Sequence, residues 1–156
     1  MDLAELSQRT GIDRRQLRYV LDHSLIPDFH IKVVGDEVGR PRHFHADVGF
    51  AIVCVTTLLD LGLPHRTIRR FLEQMIKIKL TGDDLPALGY ILERDCPAFG
   101  ELGDGKRVRL RVGGDTPFIS EWMPKPRAEK ADNEYTPLVI VSLDIGRIRD
   151  QLFSRE

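Results

Sequence analysis

The sequence predicts an α+β protein in two parts: a mainly helical first half interrupted by one short β-hairpin, then a small α+β module with an antiparallel sheet. Three observations predict it. Apolar residues recur at helical spacing in separate stretches before residue 80. A turn-rich hairpin pattern lies in the middle of that region. Beyond it, strict alternation takes over in 106–112, and an apolar run rich in β-branched residues fills 138–143.

The elements follow in order. Leu3, Leu6 and Ile12 suggest a short helix over 3–9, turned at Thr10-Gly11, where glycine can take the left-handed conformation that ends a helix. Asp13 with Gln16 three residues on forms a capping-box pattern and opens a second helix over 14–22. Leu17 and Leu21 face inward in that helix, while Arg14, Arg15, Arg18 and Tyr19 stay on or near its outer face. Leu25-Ile26-Pro27 stops it. Residues 30–34 read as a strand, 35–37 as a turn and 38–44 as a returning arm carrying Arg40, Arg42 and His43. Pro41 makes that arm an edge or irregular.

A third helix spans 47–61 on Val48, Ala51, Ile52, Val55, Leu58 and Leu59, and Gly62 ends it. Pro64 suits the first position of a fourth, which runs to about residue 80 through Ile68, Phe71, Leu72, Met75 and Ile76. The break at 81–84 divides the chain into domains 1–80 and 81–156. In the second part, 85–94 reads as a short helix, 96–105 as loop and 106–112 as a strand. Residues 113–115 turn the chain, and 118–123 read as another strand. Residues 124–137 read as a polar loop and 138–143 as a strand. Asp144 caps a last helix with Ile145, Ile148 and Leu152 on one side.

Composition narrows the function classes. The 156 residues suffice for one compact domain or two small ones, and 42% hydrophobic content supports a packed core. The net charge of -1 gives no overall basic excess, but it is unevenly spread. Residues 1–80 hold 12 Lys and Arg against 10 Asp and Glu, and residues 81–156 hold 11 against 14. Two cysteines make neither a disulfide framework nor a cysteine-built zinc site, and Cys54 sits in an apolar run as a buried small hydrophobe. No secretory signal or membrane-length apolar run is present, so a soluble cytoplasmic protein is expected. Asp95-Cys96 has no obvious base beside it, and the glycines of 100–114 form no phosphate-binding loop, so no enzyme is expected. His43, His45 and Cys54 form no closed ligand set, and no metal or other cofactor is expected.

Two short helices, a glycine turn, a hairpin and two more helices make the arrangement of a winged helix-turn-helix. Its second helix is slim enough to enter the major groove of double-stranded DNA. Arg14, Arg15 and Gln16 would lie at the end that reaches base edges. Arg18 and Tyr19, one turn on, suit phosphates, and Arg40, Arg42 and His43 belong to the wing. The plainer alternatives are a solvated basic face for the arginines and a partly buried ring for Tyr19. Arg66, Arg69 and Arg70 touch flanking phosphates or face solvent. Arg107, Arg109 and Arg111 read as an ordinary half-exposed strand.

Several runs carry a family resemblance: residues 3–12, Gln16-Leu17-Arg18-Tyr19, Leu25-Ile26-Pro27, Arg42-His43-Phe44, and Leu61-Gly62-Leu63-Pro64 followed by Ile68 and Phe71-Leu72. In these the chain resembles the MerR family of transcription regulators over roughly residues 2–76. The resemblance implies a homodimer on palindromic promoter DNA, with phosphate contacts from Arg18, Tyr19 and the wing. Val20 stands where the family has a second tyrosine. Nothing after residue 76 matches the family's long dimerisation helix or its paired metal-sensing cysteines. Two alternatives stay open: a DNA-binding adaptor of the excisionase or DNA-packaging type, and a repressor with a small-molecule pocket near Phe118, Trp122 and Tyr135. No effector is named by the sequence.

Overall fold

The computed structural model describes residues 1–27, 43–78, 87–113, 118–120, 122–123 and 135–153. The protein is α+β. In chain order its elements are α1 (Leu3–Thr10), α2 (Arg14–Asp22), α3 (Ala46–Asp60), α4 (His65–Lys77), α5 (Ala87–Glu93), β1 (Ala98–Gly103), β2 (Arg107–Val112), β3 (Phe118–Ile119), β4 (Ile140–Asp144) and α6 (Ile145–Phe153). The chain divides into two compact units, residues 1–72 with 148–156, and residues 73–147. The break read at 81–84 lies outside the described residues. So do most of the hairpin read over 30–44, the turn at 114–115 and the loop over 124–134. No described helix is long and apolar enough to cross a membrane.

In the first unit α3 is the central helix. Val48 to Thr56 and Leu58 are all buried, so α3 is covered all round rather than along one stripe. Leu6 of α1, and Leu17 and Val20 of α2, are fully buried. Leu21, expected to face inward with Leu17, is only half-buried, because the i, i+3 pair Leu17–Val20 takes the core-facing side. The chain start is fastened by mutual backbone bonds: Phe44 N donates to Met1 O at 2.7 Å, and the Met1 amino group donates to Phe44 O at 3.2 Å. The left-handed Gly62, at φ 78°, separates α3 from α4. Pro64 precedes α4 rather than opening it, and its carbonyl accepts from Thr67 N and Ile68 N. Ile68, Phe71 and Leu72 are buried as their spacing predicts; further along α4, among the residues assigned to the second unit, Met75 is buried as well, but Ile76 is only half-buried.

The second unit is built on an antiparallel four-stranded sheet of order β3-β2-β1-β4. Its central strand β1 falls in 96–105, which reads as loop from sequence and is corrected here. Two glycines and a glutamate in Ala98–Gly103 lower the local strand propensity, and pairing on both sides overrides it. The register sets Gly100 between Leu110 and Leu143, and Leu102 between Val108 and Val141. Gly103 is closely covered: a Cβ there would lie 3.1 Å from side-chain atoms of each of Pro137, Trp122 and Tyr135, which would have to give way. Residues 103–106 make a tight turn, with Lys106 N donating to Gly103 O at 3.0 Å. Asp104 and Gly105 both have positive φ, 50° and 66°, as hairpin turns of this length require. The strand read over 118–123 is shorter, Phe118–Ile119, followed by an isolated bridge between Met123 and Val108. Asp144 caps α6 as expected, accepting from Arg147 N at 2.8 Å. Ile145 is buried at its start, and Ile148 and Leu152, in the part of α6 that belongs to the first unit, are buried too.

Candidate nucleic-acid interface

The turn between α1 and α2 is braced at both ends. Asp2 Oδ1 accepts from Ala4 N at 2.8 Å and Glu5 N at 2.9 Å, satisfying the open amides of the first turn of α1. The Glu5 amide is the main cause that holds the Asp2 carboxyl below its usual range, with the Ala4 amide, His43 and Arg14 adding to it. Gly11 closes α1 at φ 73°. Ser7 Oγ donates across the turn to Ile12 O at 2.7 Å. Asp13 then caps α2, its Oδ1 accepting from Arg15 N at 2.7 Å.

With Leu17 and Val20 in the core, the remaining face of α2 points to solvent. Arg14, Arg15, Gln16, Arg18 and Tyr19 are all exposed. Val20 is wholly buried, so that position presents nothing outward. The Tyr19 ring is stacked on His23, with centroids 3.9 Å apart, and meets His65 edge-on at 6.1 Å. The His23 ring also hydrogen-bonds to Tyr19 O at 2.9 Å. Gln16 does not complete a capping box with Asp13. Its Nε2 donates instead to Asp60 Oδ1, at 3.3 Å, at the far end of α3. Beside this pair lies an open depression of about 410 Å³ lined by Arg15, Gln16, Tyr19, Thr56, Leu59, Asp60 and His65.

The sequence-predicted residues are thus brought together on α2. Of the wing residues, His43 is exposed and near enough to Asp2 to influence its carboxyl, whereas Arg40 and Arg42 lie outside the described residues. Arg66, Arg69 and Arg70 are exposed on α4. Sequence reading missed Asp60, His65 and His23. A faint signal for Asp60 existed: a carboxylate in the last turn of the helix expected over 47–61 opposes the helix dipole.

In the second unit Trp122 and Tyr135 do meet, edge to face, with centroids 5.7 Å apart, while the side chain of Phe118 lies outside the described residues. Arg107 stacks on Tyr135 at 3.7 Å and Arg109 on Trp122 at 4.3 Å. Glu101, only 3% exposed, is held by Arg109 Nε at 2.7 Å and Arg111 Nη1 at 3.0 Å. The arginine stripe of β2 is therefore tied into its own sheet face. Cys54 is buried in α3, and burial pushes its thiol far up, keeping it protonated. Among the described residues no group of three His, Cys, Asp or Glu is placed to hold a metal ion. Comparison of the chain with family models, curated proteins and solved structures finds no match.

Proposed function

We propose that the chain is a sequence-specific DNA-binding transcriptional regulator, a MerR-like winged helix-turn-helix acting in the cytoplasm as a homodimer on palindromic promoter DNA. One observation carries the reading. On α2 the buried side is wholly apolar, and the exposed side gathers Arg14, Arg15, Gln16, Arg18 and Tyr19. A helix anchored by Leu17 and Val20 and capped at Asp13 can offer its N-terminal residues to a groove without unfolding its own packing. Arginine pairs bidentately with guanine, and glutamine with adenine. Arg18 and Tyr19 grip phosphate one turn on, and Arg40, Arg42 and His43 take the adjoining backbone or minor groove.

The second copy is assigned to the β4 edge. β4 borders the sheet and is preceded by Leu138 and Val139, which are 97% and 62% exposed, and it opens on Ile140 at 47%. Pairing such an edge with its own copy relieves an otherwise open strand. The test of DNA recognition is a gel shift with Arg14, Arg15 and Arg18 changed to alanine. The triple variant is expected to lose at least tenfold in affinity, on the scale of one to several charge-assisted contacts, ~1.5–3 kcal/mol each. Unchanged affinity at several salt concentrations would sink the recognition-helix assignment.

A further inference from the structure

We infer that Asp60 is a positioning residue that makes Gln16 select adenine over guanine; this rests on the DNA-binding reading of α2. The observation is the bond from Gln16 Nε2 to Asp60 Oδ1, at 3.3 Å, which ties α2 to the end of α3. Gln16 is the third residue of α2, at the end assigned to base edges. An unrestrained glutamine amide has two N–H donors and one acceptor oxygen. It can present one donor and one acceptor, which matches adenine N7 and N6, or turn both donors toward the two acceptors N7 and O6 of guanine.

Asp60 removes that choice. An ionised carboxylate only accepts, so it orients the amide by its nitrogen and occupies one N–H. What remains is one donor and one acceptor side by side, the complement of adenine and a mismatch for guanine. The placement of Asp60 argues for such a use. It is exposed and is the last residue of α3, where the negative end of the helix disfavours a carboxylate. It also puts negative charge beside Arg15 on the face offered to phosphate. General DNA attraction does not explain it, and the one exposed hydrogen bond it makes offsets the unfavourable helix end only in part.

The experiment is selection from a duplex pool with a randomised core, using the full chain and its Gln16→Ala, Asp60→Ala and Asp60→Glu variants. The wild-type protein is expected to enrich adenine at one position per half-site, and Gln16→Ala to lose that preference. Asp60→Ala is expected to accept adenine and guanine there alike, a loss of about tenfold in discrimination. Asp60→Glu, which restores an acceptor-only partner, should recover adenine. Asp60→Ala should keep a Tm at or above that of the wild type, which separates the effect from misfolding. An Asp60→Ala motif identical to the wild-type motif, or adenine retained in Gln16→Ala, overturns the inference while leaving DNA binding intact. A wild-type chain that enriches no sequence and binds bulk duplex no better than its Arg14→Ala and Arg18→Ala variants overturns the DNA reading itself, and the inference with it.

Discussion

Asp104 shows how much one carboxylate can organise. It sits at positive φ in the β1–β2 turn and accepts from Leu138 N and Val139 N, both at 3.0 Å, and from the Tyr135 hydroxyl at 2.8 Å. The Val139 amide, then Tyr135, then the Leu138 amide hold its carboxyl below the usual range, and the phenol of Tyr135 is in turn pushed up by partial desolvation and by Asp104. The sign follows from the depressed value. The clamp is fully present above the ordinary aspartate pKa of about 4 and is lost as pH falls through the lower folded value. Trp122 is the only tryptophan and touches Tyr135, so its fluorescence reports the clamp. Its emission should stay constant from neutral pH down to about 5 and change below about 4. Asp104→Gly keeps the left-handed backbone but deletes the carboxylate, so its emission at neutral pH should already match the acid form. An Asp104→Gly spectrum equal to the wild type at neutral pH would exclude the clamp. Glu101, by contrast, is a buried carboxylate whose two oxygens are taken up by Arg109 and Arg111. Breaking such a pair on one side leaves an uncompensated charge, which makes the cluster a fixture of the sheet face rather than a free binding surface.

At the scale of elements, helix ends and glycines decide more than helix propensity does. Asp2, Asp13 and Asp144 each meet an open amide at a helix start. Two helical glycines make opposite demands. Among the described residues, nothing lies within 4 Å of a Cβ added at Gly89 in α5. Gly146 in α6 would place its Cβ 3.1 Å from Ala98 N and 3.2 Å from Cys96 O, both backbone atoms of limited freedom. Gly89→Ala should therefore stabilise the protein by about 0.5–1 kcal/mol, the gain of alanine over glycine in a helix. Gly146→Ala should lose about 1–2 kcal/mol, because overpacking exceeds that gain. Urea unfolding of the two variants beside the wild type checks both, and equal shifts of the same sign would disprove the close approach of α6 to the start of β1.

For the molecule as a whole, the proposed attraction to DNA is a local one. A net charge of -1 gives no long-range pull, so the proposed binding would depend on concentrating arginines on α2 and on presenting two copies to a palindrome. In that proposal, avidity from two linked reading heads would supply what net charge does not. The β4 edge assigned to this pairing predicts that Leu138→Asp with Ile140→Asp yields a monomer by analytical ultracentrifugation, while the wild type sediments as a dimer. The variant should bind a full palindrome more weakly but keep wild-type affinity for a half-site. A variant that remains dimeric would move the interface elsewhere.

The sequence by itself determined the local features whose causes lie within a few residues. These include the α1–turn–α2 unit, the caps at Asp13 and Asp144, the terminators Gly11 and Gly62, the alternating strand β2 and the basic outer face of α2. Each rests on periodicity, a capping side chain or a glycine φ, and each is readable without knowing the fold. Asp104-Gly105 lay inside a stretch that reads as loop, and the glycines around it hid the strand that this turn closes. Tertiary structure alone decided the rest. It made 98–103 a central strand because partners on both sides supply hydrogen bonds that local propensity does not. It buried Val20 in place of Leu21 because α3 lies on that side. It also carried the Gln16 amide to Asp60, 44 residues along the chain. Contacts of that kind depend on how elements pack, and no local pattern encodes them.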